Sequence, residues 1–178
     1  MMHAWRPMRP SDLDEVMAIA AAVHAGFFER REVFAERLAL YPQGCWLAAP
    51  ADEGRSGARH SMKAAACGYA FMHPARLGHP PALDQLLHRL DPDADCLYLH
   101  DIALLPAARG AGLGRGLIEL LAALMAREAH AQAALVAVHG SAPYWRSRGF
   151  HAYEAVTPDL RDKLASYSDE ALYLVRRN

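Results

Sequence analysis

Alternating helical and strand patterns along the chain predict α/β or α+β packing around one sheet. Two further observations support that class. The chain has 178 residues, which fits one domain slightly above the commonest domain size, and residues 1–178 show no internal repeat and no domain boundary. Its hydrophobic share of 53% exceeds the ordinary globular value, so a sizeable core can be buried.

Residues 4–8 read as a short first strand. Ser11 can cap the helix that follows, with Asp12, Asp14 and Glu15 in its first turn, where negative charge suits the helix dipole. Leu13, Val16, Met17, Ala20 and Val23 recur at helical spacing and carry this helix to about His24. A second helix covers residues 29–40, with Val33, Phe34 and Leu38 apolar, until Tyr41-Pro42-Gln43-Gly44 stops it. Residues 45–49 form a second strand, and residues 50–63, rich in Gly, Ser, Asp, Glu and Arg, read as an exposed and mobile connection. Residues 65–72 are a third strand, with Gly68 as a weak point or bulge. Residues 73–95 hold several prolines around a short helix near 83–90. Residues 96–105 make the strongest strand pattern, apolar except at His100 and Asp101, and end at Pro106. A glycine-rich turn then opens a long helix to about Ala129, on which Leu113, Leu117, Leu120, Leu121 and Leu124 share a face. Residues 133–138 are a fifth strand, 141–148 a short helix capped by Ser141 and closed by Gly149, and 150–156 and 171–175 the last strands.

Composition excludes several partners. Formal net charge is −1, so there is no basic excess to neutralise a phosphate backbone, which argues against nucleic acid. Cys45, Cys67 and Cys96 are odd in number, far apart and without a CxxC pair, and they read as small apolar core residues. The ten histidines contain no HExxH or HxH pair, so no metal site is predicted. Apolar runs fall short of the roughly 20 residues that cross a bilayer. The opening Met1-Met2-His3-Ala4-Trp5-Arg6-Pro7 lacks the basic-then-apolar profile of a signal peptide, and the expectation is a cytoplasmic protein that does not bind membranes.

The informative unit is strand, then Arg109-x-x-Gly112-x-Gly114, then helix. A helix N-terminus leaves backbone N–H groups without intrahelical partners and with partial positive charge. Glycines let the chain turn tightly and let a phosphate approach, which makes an anion cradle suited to a pyrophosphate. A Walker loop would need Gly-Lys-Ser/Thr where Gly114-Arg115-Gly116 stands. The glycine spacing is wrong for a dinucleotide fingerprint, and the strand at 133–138 ends without an acid. A turn that merely joins strand to helix is the plain alternative.

The stretch Ile102-Ala103-Leu104-Leu105-Pro106-Ala107-Ala108-Arg109-Gly110-Ala111-Gly112-Leu113-Gly114-Arg115 resembles the cofactor motif of the GNAT N-acetyltransferases, Gln/Arg-x-x-Gly-x-Gly/Ala between a strand and a long helix. Downstream, Ser141-Ala142-Pro143-Tyr144-Trp145-Arg146-Ser147-Arg148-Gly149-Phe150 is similar to the family's aromatic-aromatic-x-x-x-Gly-Phe element. The opening Arg6-Pro7-Met8-Arg9-Pro10-Ser11-Asp12 resembles its usual first strand and helix start, and the weakest fit lies between Pro50 and Asp95. The resemblance implies a central mixed, mostly antiparallel sheet, splayed at the cofactor strand and flanked by helices. It implies that backbone amides of Gly110, Ala111, Gly112, Leu113, Gly114 and Arg115, with Arg109 at the motif's first position, hold the pyrophosphate of acetyl-CoA as co-substrate. Ile102, Ala103 and Leu104 would pair with the pantetheine arm through backbone groups that the splay leaves free.

The implied chemistry is acyl transfer from a thioester to a primary amine, which needs a base for the ammonium, a donor for the oxyanion and an acid for the thiolate. His100 is the base candidate, since an imidazole titrates near neutral pH; the alternative is a buried histidine bonded to neighbouring backbone. Tyr98 and His100 share a face on a regular strand, and Asp101, read as structural, points the other way unless a bulge intervenes. The family's usual acid is a Tyr four residues before the Gly of Gly-Phe, and here that position is Trp145, whose indole donates a hydrogen bond but no proton. Tyr144 is therefore the acid candidate, Ser141 and His139 are alternatives, and Trp145 is expected to line the pantetheine end by packing. The acceptor, a small-molecule or protein amine, is expected between the first two helices, the turn at 41–44 and the segment 150–171. A homodimer is left open. The competing reading is a non-catalytic acyl-CoA-binding sensor of the same fold, which Trp145 favours and His100 opposes.

Overall fold

The computed structural model describes residues 2–51 and 65–178, so most of the connection read at 50–63 lies outside the described residues. Among the described residues seven strands form one sheet: β1 (His3–Pro7), β2 (Cys45–Pro50), β3 (Gly68–Ala75), β4 (Cys96–Leu104), β5 (Gln132–Ala137), β6 (His151–Ala152) and β7 (Leu172–Arg177). Their order is β1-β2-β3-β4-β5-β7-β6, and every neighbouring pair is antiparallel except β4 with β5. The α-helices among the described residues cover it: α1 (Leu13–Val23), α2 (Arg31–Leu40), α3 (Leu113–Arg127), α4 (Ala142–Arg146) and α5 (Pro158–Ala165).

The two faces follow from strand alternation. Leu97 and Leu99 of β4 point toward α3 and meet Leu117, Leu121 and Leu124, with Trp145 and Phe150 completing that core. On the opposite face, Tyr69 and Phe71 of β3 meet Val16 and Ile19 of α1 and Phe34 and Leu38 of α2, while Cys96 and Tyr98 meet Leu160 of α5. Across the sheet edge, the indole Nε1–H of Trp5 on β1 donates to the Leu113 carbonyl at 2.8 Å and pins the first turn of α3.

Several expected elements change in detail. Asp12, rather than Ser11, organises the entry to α1: its carboxylate takes two guanidinium N–H groups of Arg6 at 2.7 and 3.0 Å and the Arg9 backbone N–H at 2.7 Å. No helix forms at 83–90, where Asp84 and His88 adopt positive φ of 60° and 61° that a helix excludes. Side chains hold this segment instead, Asp84 accepting from the Arg30 backbone and Glu36 from the Leu87 and His88 backbones. The strand expected at 150–156 shrinks to β6, and α5 follows it, capped by the Thr157 hydroxyl accepting from the Leu160 N–H. β3 begins at Gly68 and runs on to Ala75, carrying Pro74 opposite Leu97.

Two irregularities in β4 create the site. β4 and β5 pair only at Leu97–Ala133, Tyr98–Ala134 and Leu99–Leu135, although β4 continues to Leu104 and β5 to Ala137. Beyond Leu99 the two strands therefore form a fork. On its other edge β4 bulges: Phe71 pairs with Asp101 and Met72 with Leu99, leaving His100 without a cross-strand partner. A bulge shifts alternation by one residue. Asp101 and Ala103 consequently share the α1 and α2 face with Tyr69, while Ile102 packs toward α3.

Candidate active site

The fork opens into a cleft of about 820 Å³. Its apex is Leu99 and Leu135, and its outer end is the glycine turn at the start of α3, where Arg109, Gly110, Gly112, Gly114 and Arg115 line the wall. Gly110 and Gly112 have φ of 83° and 84°, a conformation that disfavours any residue with a Cβ. A Cβ on either would meet no atom within 4 Å, so the space above both amides is open to a ligand. Arg109, Arg115 and Arg148 bring positive charge to this end, with Arg148 also lying 5.2 Å from the Tyr144 ring centroid. An α-helix N-terminus, open glycine amides and arginines together suit a pyrophosphate.

Ile102 and Leu104 line the cleft along the free stretch of β4, whereas Ala103 is buried against the α1 and α2 core. Leu113 is buried with Ala48, Cys67 and Ala108, so its side chain faces away from the cleft. Trp145 lines the cleft from α4 but is buried and packs edge-on against Phe150 at 5.6 Å. The Tyr144 hydroxyl sits over Gly114, where an added Cβ would strike it. That places the phenol at the α3 end of the cleft, away from the apex.

At the apex, His100 Nε2 lies 2.9 Å from Glu29 Oε2, and both side chains are buried. Glu29 comes from the α1–α2 connection and is held by the Asp84 N–H, which donates to its Oε1 at 3.2 Å. A carboxylate accepts only, so Nε2 carries a hydrogen, and in the neutral ring Nδ1 keeps the lone pair. That Nδ1 is buried with no hydrogen-bond partner. Beside this pair, His24 Nε2 lies 2.9 Å from Asp101 Oδ1 and 3.1 Å from the Ile102 carbonyl, and the Tyr69 hydroxyl donates to Asp101 Oδ2 at 2.7 Å. Burial alone would lower the His24 pKa, but the Asp101 carboxylate, the Ile102 carbonyl and Glu29 together outweigh it and the net shift is upward. Asp101 moves the opposite way: burial would raise it, yet His24 brings it below the ordinary carboxylate value. His24 also stacks on His139, ring centroids 5.9 Å apart, so α1 reaches across the fork to the loop after β5.

Glu29, His24, Phe27 and Tyr167 all line the cleft and were not among the residues expected there by name. The turn at 41–44 contributes nothing to the lining; Tyr41 is buried under α3 with Ala70 and Met72.

The sequence profile of the acetyltransferase (GNAT) family matches residues 19–150. The chain belongs to this family. No curated protein matches the sequence. Among solved structures, the GphF GNAT-like decarboxylase in complex with isobutyryl-CoA is similar at 19% identity and TM-score 0.70, over 98% of this chain and 99% of that one. The loading GNATL domain of CurA from Lyngbya majuscula aligns at 13% identity and TM-score 0.75, over 99% and 98% of the two chains. Naa20 from Chaetomium thermophilum, in complex with a bisubstrate analogue, aligns at 18% identity and TM-score 0.66, over 98% and 86%. These likenesses show the fold. Among the described residues no helix is long and apolar enough to cross a membrane.

Proposed function

We propose that the protein transfers an acetyl group from acetyl-CoA to a primary amine by direct attack on the thioester. The observation that carries this reading is the fork itself, with open glycine amides at one end and the His100–Glu29 pair at its apex. The amides from Gly110 to Arg115, with Arg109, would hold the pyrophosphate, and the free edge of β4 from Ile102 to Leu104 would hold the pantetheine arm. Trp145 forms a wall of the cleft.

An ammonium has no lone pair, so the reaction starts with loss of a proton. His100 Nδ1 can take it, directly or through one water, because Glu29 fixes the hydrogen on Nε2. The neutral amine then attacks, and a backbone N–H that faces the fork beyond Leu99 would receive the oxyanion. The acceptor, a small molecule or a protein amine, would enter past Phe27, Leu83 and Tyr167, and Glu29 and Asp101 favour a cation there.

A second reading has one observation behind it. Trp145 supplies no proton at the expected acid position, and decarboxylation of a β-carboxyacyl-CoA breaks no thioester, so it needs no acid at sulfur and takes its proton at the carbon of the enolate that loss of carbon dioxide leaves. The carboxylates of Glu29 and Asp101 oppose it, because the departing carboxylate would face like charge. A panel of amines with acetyl-CoA, scored by thiol release, tests the proposal, with carbon dioxide release from malonyl-CoA in parallel. Tight acetyl-CoA binding with no thiol release across the panel would favour a non-catalytic sensor.

A further inference from the structure

We infer that His24, as imidazolium, is the acid that protonates the sulfur when the thioester breaks, with Asp101 and Tyr69 as its positioning residues. This rests on the acyl-CoA reading above. Neither aromatic residue of α4 supplies that acid at the fork. The Trp145 indole lies in the core under α3, and the Tyr144 hydroxyl is over Gly114 at the other end of the cleft.

His24 has the required geometry. Its Nε2 faces two acceptors, Asp101 Oδ1 at 2.9 Å and the Ile102 carbonyl at 3.1 Å, so that nitrogen carries a hydrogen. Asp101 is held ionised by His24 on one oxygen and the Tyr69 hydroxyl on the other. The second nitrogen, Nδ1, is buried without a hydrogen-bond partner, and in the imidazolium it presents an N–H that needs an acceptor. The ring leans on β4 at Ile102, between the apex and the glycine turn, along the stretch where the pantetheine arm would run. Charged and titratable groups face it from each neighbouring element: Asp101 and His100 on β4, Glu29 on the α1–α2 connection, and His139 after β5. His139 does not compete for the proton, since burial and then the His24 charge lower its pKa.

The step balances. The amine nitrogen bonds to the carbonyl carbon and one electron pair moves to oxygen. That pair returns, the carbon–sulfur bond breaks, and sulfur keeps its electrons and takes the proton from His24 Nδ1. Of the two protons the ammonium loses overall, one ends in effect on sulfur and one in solvent. The Asp101 carboxylate favours the imidazolium, so the ring holds a proton to deliver as the thiolate forms.

The test uses free CoA, with no acceptor needed. Calorimetry measures CoA binding to wild type, His24→Gln and Asp101→Asn, and the ultraviolet absorbance of the thiolate follows the bound thiol's titration. In wild type the bound thiol should titrate about one unit or more below free CoA, because a cation beside it favours the thiolate. Both variants should bind CoA and return the thiol to its free value. With a working acceptor, His24→Gln should also lose the alkaline limb of the kcat profile. Equal thiol titration in wild type and both CoA-bound variants would overturn the role of His24 and leave the acyl-CoA reading intact. Absence of CoA binding by wild type would overturn both.

Discussion

His73 should make the protein lose stability in mild acid. It lies on β3, 1% exposed, with its ring 5.4 Å from Tyr98 and 5.9 Å from His100. Its Nδ1 meets the Pro74 carbonyl at 2.9 Å, and its Nε2 is buried without a partner. Burial, then the neighbouring His100, push its pKa down to about 3, against a small opposing pull from the Pro74 carbonyl. The folded pKa is below the unfolded value of about 6.5, so between the two only the unfolded chain binds this proton. The destabilisation is absent above the unfolded value and grows by about 1.4 kcal/mol per pH unit as pH falls. It amounts to about 2 kcal/mol at pH 5, which is visible against a typical total of roughly 5–15 kcal/mol. Urea unfolding of wild type and His73→Phe at pH 7 and pH 5 isolates it, because other titrations cancel in the difference between the two proteins. His73→Phe should lose about 2 kcal/mol less than wild type over that interval. Equal losses would show that His73 does not stay neutral and buried.

Four further outcomes are expected. His100→Gln should lower kcat/KM by ~100-fold or more and remove the ionisation on which the rate rises with pH, while calorimetric affinity for acetyl-CoA is kept; a variant within a few-fold of wild type with the same profile would remove His100 from the mechanism. Gly112→Glu should fold, with a strain of about 1–2 kcal/mol from its φ of 84°, and should bind acetyl-CoA roughly tenfold or more weakly, a loss of about 1.4 kcal/mol. Unchanged affinity would refute the phosphate site. Trp145→Ala should cost about 3–5 kcal/mol of stability in denaturant, whereas Tyr144→Phe should leave kcat within about twofold, since loss of a general acid typically costs ~100-fold or more; a large kcat loss in Tyr144→Phe would return the phenol to the acid role.

What could be read from the sequence was what short segments determine alone. The glycine turn, the apolar stripe of α3 and the run of β4 each carry their signal within one stretch of chain, and each stands where expected. The partners of His100 and His24 do not. Glu29 lies 71 residues before His100 and comes from a run of charges, Glu29-Arg30-Arg31-Glu32, that has no periodicity to mark it. His24 reaches Ile102 across 78 residues. Only the packing of α1 on the sheet brings these groups together. α5 is a different case: Thr157-Pro158-Asp159 is a local start signal, but Leu160 is the helix's one fully buried residue, so no apolar stripe accompanies it.

The bulge at His100 is the feature on which the chemistry turns. In a regular strand Asp101 would follow Leu97 and Leu99 toward α3 and bury a carboxylate among leucines without a partner, at a cost of several kcal/mol. One unpaired residue reverses the alternation, so His100 and Asp101 both point toward α1 and the connection after it. That connection then supplies a complement to each, Glu29 for His100 and His24 for Asp101. The two pairs contain the same residue types in opposite places: the histidine with an unpartnered Nδ1 lies on the strand in one and on the helix end in the other. Each carboxylate has a second donor, the Tyr69 hydroxyl on Asp101 and the Asp84 N–H on Glu29, but His24 alone faces a further acceptor, the Ile102 carbonyl, which favours its charged form. On the proposed roles, a base at the apex and an acid nearer the arm would follow from one shift in register and from which element contributes each carboxylate.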